Sequence, residues 1–220
     1  AGPVVLDPLF NTFKALPAGQ SREDVLELAR RANVDVGEVY SVDASRRTTA
    51  ANAYVTGLGR TKRVVLYDTL TENFDRDELR LVVAHELAHV HHRDVPNGLL
   101  YLAIVAPFGL FAVAQITRRL APGAPGPATL PALALGLVVM TTTITTISNQ
   151  LSRAIEARAD SYAVTLTGEP RPFISFEQRI ALRNLSDPDP PGWQTLLLAT
   201  HPPTIDRIGI GVAYERGDRG

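Results

Sequence analysis

The sequence predicts an α+β chain, mainly helical, with a small antiparallel sheet and an inserted hairpin of transmembrane helices. Three observations carry this. Short β-like runs are confined to the first third of the chain, at 36–42, 50–56 and 62–67. Helical spacing of apolar residues dominates most of the remainder. Two apolar segments, 98–117 and 129–148, lie in stretches with no charged residue from Val95 to Thr117 and from Leu120 to Ser152. Each is about the 20 residues needed to cross a bilayer.

In chain order, residues 22–32 place Val25, Leu28, Ala29 and Ala32 on one helical face, with Ser21 as the expected N-cap. The runs 50–56 and 62–67 flank a Gly-containing turn and read as a hairpin. Asp75 followed by Glu78 has the form of a capping box and opens a helix over about 76–93. The two apolar segments are joined by a Pro/Gly-rich connector carrying Arg118 and Arg119. Pro107 and the Thr run at 141–146 are tolerated in membrane helices whose neighbours satisfy the backbone. Ser152 is expected to cap a helix over 153–167 that ends at Gly168. A helix near 173–185, a Pro-rich turn and a final helix from about 204 complete the chain. Residues 1–220 thus read as a single domain into which 98–148 is inserted. The start at Ala1, with neither Met nor a signal-peptide pattern, reads as a piece of a longer membrane protein.

The charge is nearly balanced, 22 basic against 23 acidic residues, which removes the electrostatic case for a nucleic-acid partner. Cysteine is absent, so any metal must be held by His and carboxylates. Lys14 and Lys62 are the only lysines, and the Arg, Ala, Val and Pro bias points to a GC-rich bacterial source.

The chemistry concentrates in His85-Glu86-Leu87-Ala88-His89. Two His four positions apart on a helix are separated by about 40° around the axis and about 6 Å along it, so their nitrogens can reach one ion. Glu86 can lie beside that ion without ligating it and accept a proton from an activated water, as in H-E-x-x-H peptidases. A catalytic zinc needs a third protein ligand, and Glu156 in EARAD is the best candidate. Asp160, four residues on, shares its face and can hydrogen-bond a ligand imidazole. His91 and His92 are rival ligands, with structural roles favoured for both.

These residues resemble the CAAX prenyl protease family of membrane zinc peptidases (sterile-24 type), related to bacterial heat-shock membrane proteases. The resemblance rests on ANAY (51–54), GRTKRVVLYDTL (59–70), ELRLVVAHELAHVHHRD (78–94), EARAD (156–160), NLSDPDPP (184–191) and HPPTIDRI (201–208), and runs from about Pro8 onward. It implies a zincin-like, thermolysin-type arrangement with one Zn2+ held by His85, His89 and Glu156, and Glu86 as base. It also implies that Asn52 and Ala53, on an edge strand, bind the substrate backbone by strand addition. His201, before a Pro-Pro helix start, and Arg207 are expected to supply oxyanion donors; the alternative is a turn cap and a structural salt bridge. One departure is visible: the family encloses its site with further membrane helices upstream, and only one hairpin occurs here.

The reading that follows is an integral membrane zinc metalloendopeptidase acting on peptide or protein substrates within a lipid bilayer. Its expected place is a bacterial inner membrane, with the active site facing the cytoplasm. A silent membrane sensor with structural zinc and a soluble zinc peptidase are the competing readings.

Overall fold

A computed structural model describes residues 12–57 and 59–217. Residues 8–11, where the family resemblance begins, lie outside them. Four strands, β1 (Phe13–Ala15), β2 (Glu38–Val42), β3 (Ala53–Thr56) and β4 (Arg63–Tyr67), form one sheet in the order β1-β2-β4-β3. The helices are α1 (Gln20–Arg31), α2 (Asp68–Asn73), α3 (Arg76–His91), α4 (Asp94–Leu120), α5 (Leu130–Thr167), α6 (Pro170–Arg183), α7 (Gly192–Leu198) and α8 (Thr204–Arg216).

The expected hairpin is present, with Ala53 opposite Leu66 and Thr56 opposite Arg63. The sheet is mixed rather than wholly antiparallel. Between β2 and β4 the chain passes through β3, so β2 and β4 run parallel, Val39 beside Val64. Ser21 lies inside α1, whose N-cap is Gly19 with no side-chain hydrogen bond. Ser152 likewise caps nothing: the second apolar segment and the predicted 153–167 helix are one unbroken helix, α5. No Pro or Gly falls between 137 and 167 to break it. It ends at Gly168, whose φ of 76° is the left-handed conformation that glycine adopts without strain. The capping box is formed as predicted: Glu78 N–H donates to Asp75 Oδ1 at 3.0 Å, and Asp75 N–H donates to Glu78 Oε2 at 3.1 Å.

The chain divides into two compact units. Among the described residues, the first comprises 12–57, 59–93, 157–189 and 203–217. Strand alternation gives its sheet two faces. Val39, Ala53, Val64 and Leu66 enter a core with Val25 and Leu28 of α1, Val83, Ala84 and Leu87 of α3, and Ala163 of α5. Val42 and Val65 pack on the other face with Tyr40, Tyr54 and Tyr67. A third cluster joins Leu81, Val164 and Phe173, with Ile210 and Tyr214 of α8 against it. Gly211 permits the close approach of α8 to α6, since a Cβ there would meet Ile174 Cγ1 at 2.8 Å.

The second unit comprises 94–156 and 190–202. Within it, α4 and α5 are both long and apolar enough to cross a membrane. Tyr101 Oη and Ser148 Oγ are hydrogen-bonded at 3.1 Å, and Gly109 lies under Ile144. Outward-facing apolar side chains are numerous, Leu99 64%, Phe108 71%, Phe111 61% and Val138 64% exposed among them.

In the first unit, α1 is clamped to α3 by one buried carboxylate. Asp24, 2% exposed, accepts from Arg76 Nε and Nη2, both at 2.7 Å, and from Arg80 Nη1 at 3.1 Å. The Arg76 hydrogen bonds hold its carboxyl below the usual range against the opposing effect of burial. Asp24→Ala should cost about 3 kcal/mol in urea unfolding, the lower end for a broken buried pair because Arg76 can turn to water. A depressed folded pKa stabilises fully above the unfolded value and is lost as pH falls through the folded one. The gap between wild type and variant should therefore be constant near neutrality and close only below about pH 4. A gap that stayed unchanged well below pH 4 would show that the charge contributes nothing.

Candidate metal centre

The metal centre begins on α3, which the capping box and Arg179 fix at its first turn. Glu78 is 1% exposed and accepts from Arg179 Nη1 at 2.7 and 2.6 Å. Two turns on, the apolar face buries Val83, Ala84, Leu87 and Ala88, which leaves His85, Glu86 and His89 half-buried on the opposite side. The His85 and His89 Nε2 atoms are 3.2 Å apart. Two nitrogens bound to one tetrahedral ion at ~2.0–2.1 Å would be separated by about 3.3 Å. The pair therefore fits a zinc ion, and a donor set without sulfur suits it equally.

His85 is held from behind. Its Nδ1 lies 2.9 Å from Asp160 Oδ1. Asp160 is fully buried, and Arg207 forks onto it, Nε to Oδ2 at 2.7 Å and Nη2 to Oδ1 at 2.6 Å. Burial pushes the Asp160 carboxyl up, but the Arg207 hydrogen bonds, then that of His85, outweigh it and hold it below the usual range. A charged Asp160 demands a donor from His85, so Nδ1 carries the proton and the Nε2 lone pair is presented to a metal. Arg207 Nη1 also meets Glu177 Oε2 at 2.9 Å, and Glu177 is 2% exposed.

Glu156 stands one turn before Asp160 on the unbroken α5, so the two carboxylates project from one helical face. In the second unit Glu156 Oε2 lies 2.9 Å from His201 Nδ1. His201 is 64% exposed in its side chain, on the turn before α8. His91 and His92 lie at the end of α3 around Tyr162. His91 Nδ1 donates to Ala32 O at 2.8 Å, and its ring centroid is 4.8 Å from that of Tyr162.

Asn52 and Ala53 open β3, the strand at the end of the sheet order. Tyr67 N–H donates to Asn52 O at 3.0 Å, which makes 52 and 67 a hydrogen-bonded pair. Antiparallel alternation then turns the main-chain groups of Ala53 and Val55 to the outer edge. The Ala53 N–H is met there by Asn52 Oδ1 at 2.9 Å.

Sequence reasoning passed over Glu177. The signal was present: it falls in helical phase with Phe173 and Ala181, so a charge sits on the buried face of α6.

The sequence profile of peptidase family M48 matches residues 15–209. The chain is 34% identical over 215 residues to the uncharacterized metalloprotease YhfN of Bacillus subtilis, covering 94% of this chain and 50% of that one. It is 31% identical over 216 residues to the CAAX prenyl protease 1 homolog of Oryza sativa subsp. japonica, with the same 94% and 50% coverage. The crystal structure of S. mikatae Ste24p matches with a TM-score of 0.81 at 25% identity, covering 96% of this chain and 54% of that one. The chain spans about half the length of these relatives.

Asp160→Ala should weaken zinc binding about 10–100-fold, read by competition with a chromogenic chelator. Replacing both His91 and His92 by Ala should leave the affinity unchanged. The reverse ranking would place the ion at His91 and His92, one turn further along α3.

Proposed function

The chain belongs to peptidase family M48, and on that premise we propose that it is the catalytic part of an integral membrane zinc metalloendopeptidase. The observation that carries the proposal is the His85–His89 nitrogen pair, at tetrahedral spacing, with Glu86 between and a buried carboxylate behind. Residues 1–220 form one peptidase domain in this reading, with 98–148 as its membrane hairpin.

His85, His89 and Glu156 hold the zinc. Glu156 is supported by its place one turn from Asp160, which touches His85. When bound, zinc acidifies water and polarises the scissile carbonyl. Glu86 takes a proton from the attacking water and returns one to the leaving amine, a base standing beside the ion rather than on it. Asn52 and Ala53 bind the substrate backbone as an added strand along β3, whose outer edge carries the main-chain groups of Ala53 and Val55.

His201 lies close to Glu156 and, turned towards the substrate, donates an N–H to the carbonyl oxygen as negative charge develops. Arg207 was expected beside it as a second donor. Its guanidinium instead spans Asp160 and Glu177, which favours the salt-bridge role: it orients Asp160 and through it His85.

Membrane insertion is supported by the charge-free lengths of α4 and α5 and by the many exposed apolar side chains they carry. Arg93, Arg153 and Arg158 flank the hairpin on the peptidase side against Arg118 and Arg119 on the other, which favours a cytoplasmic site. The Bacillus relative fits a bacterial inner membrane. Damaged or misassembled membrane proteins are the substrate class this setting favours over prenylated ones.

Glu86→Gln should retain zinc and lose peptide hydrolysis. Normal turnover by a zinc-loaded Gln variant free of contaminating protease would remove Glu86 as the base. The wild-type protein should also remain in the membrane fraction after carbonate extraction, and release into the supernatant would count against the hairpin.

A further inference from the structure

In the second unit, α7 is a seven-residue helix in a segment, 190–202, with no Asp, Glu, Lys or Arg. Trp193, Leu196 and Leu197 share one helical face, spaced three and four residues apart, and are 64%, 47% and 40% exposed. Leu198 beside them is 66% exposed. A helix so short has no stability of its own, so its neighbours must hold it in place.

What holds it is unusual. The last carbonyls of a helix lack partners within it, and in water they are simply hydrated. Here α5 supplies side-chain donors for them. Arg153 Nη1 donates to Thr195 O at 2.7 Å and to Ala199 O at 2.6 Å. Gln150 Nε2 donates to Leu196 O at 3.1 Å, and Asn149 Nδ2, in a residue 6% exposed, to Leu197 O at 2.8 Å. Dedicated donors for successive carbonyls are the arrangement required where water is scarce.

The donors also fix the level at which α7 lies. Asn149, Gln150 and Arg153 follow directly on the apolar span 129–148, within about 8 Å of its end at 1.5 Å per residue. A charge-free helix with an outward Trp-Leu-Leu face, tied to the point where a membrane span ends, matches the interface between headgroups and acyl chains. Trp is favoured there, its ring being apolar with one polar N–H.

We propose that α7 is an interfacial helix whose Trp193–Leu197 face is seated in the headgroup–acyl boundary of the bilayer. His201 follows it by three residues, so the same anchor sets the height of that side chain relative to the membrane. The proposal rests on the membrane reading of α4 and α5 given above.

Trp193 is the chain's single tryptophan and therefore its own probe. The zinc-loaded full chain is reconstituted in phosphatidylcholine–phosphatidylglycerol vesicles containing lipids nitroxide-labelled either near the headgroup or near the acyl terminus. The shallow label should quench Trp193 more strongly than the deep one, giving a depth about 5–10 Å into the boundary, and aqueous iodide should quench weakly. Strong iodide quenching without lipid quenching would overturn the proposal, leaving the face in water. Quenching by neither would also overturn it, showing the face covered by protein, whether another segment or a second copy. Stronger quenching by the deep label would overturn it in favour of burial in the hydrocarbon. A Trp193→Phe, Phe108→Trp variant places the probe in the middle of α4 and should respond to the deep label. If that control responds and Trp193 does not, only the interfacial helix fails; if the control is silent, the membrane reading fails with it.

Discussion

The Asp160 carboxylate is the point on which the first unit depends. An ionised group removed wholly from water is costly, and it persists only where an opposite charge and further hydrogen-bond donors replace the solvent. Here the donors are His85 from α3 and Arg207 from α8, and Arg207 is itself shared with Glu177 of α6. One anion on α5 thereby draws three other helices to fixed positions. The requirement also has a direction. A buried carboxylate that holds the proton on His85 Nδ1 leaves Nε2 as the atom offered to a metal, so the cost of burial and the preparation of the ligand are the same feature.

The helix that carries Asp160 converts this local demand into a register. Four residues separate Glu156 from Asp160, and a slip of one position would rotate either by about 100° and turn it from its partners. With no break between Leu130 and Thr167, α5 holds Glu156 and Asp160 in that register.

Much of this was legible in the sequence because it is written in short, periodic patterns. The capping box, the β3–β4 hairpin, the two His on α3 and the two carboxylates on α5 each depend on residues within a few positions of one another. What escaped depended on distant contacts. Nothing near Val39 announces that it will pair with Val64 in parallel, since a residue's strand partner is set by tertiary packing. Strand β1 is three residues long, too short for period-two alternation to register. Helix α7 was invisible for the same reason that makes it informative: its carbonyls are satisfied by side chains over 40 residues away, and GWQTLLL alone is too short to read as a helix. Arg207 was singled out as an oxyanion donor or a structural salt bridge, but its partners were not foreseen, because Glu177 and Asp160 meet it only in the folded chain.

The same contacts give physical content to the scarcity of lysine. Among the described residues of the first unit, each buried carboxylate is met by arginine: Asp24 by Arg76 and Arg80, Glu78 by Arg179, Asp160 and Glu177 by Arg207. Arg153 does the equivalent in the other unit, spanning two main-chain carbonyls. Two of these sites, Asp160 and Asp24, use the planar fork. Arg207 places two nitrogens on one carboxylate and a third on another, and Arg76 binds both oxygens of Asp24. An ammonium is a compact point charge, strongly hydrated, and cannot hold two acceptors in one plane at those separations. Genome composition can bias a chain towards arginine, but it does not choose the positions. At Asp24 and Asp160, where a buried carboxylate offers both oxygens, the guanidinium geometry is the constraint that lysine would not meet.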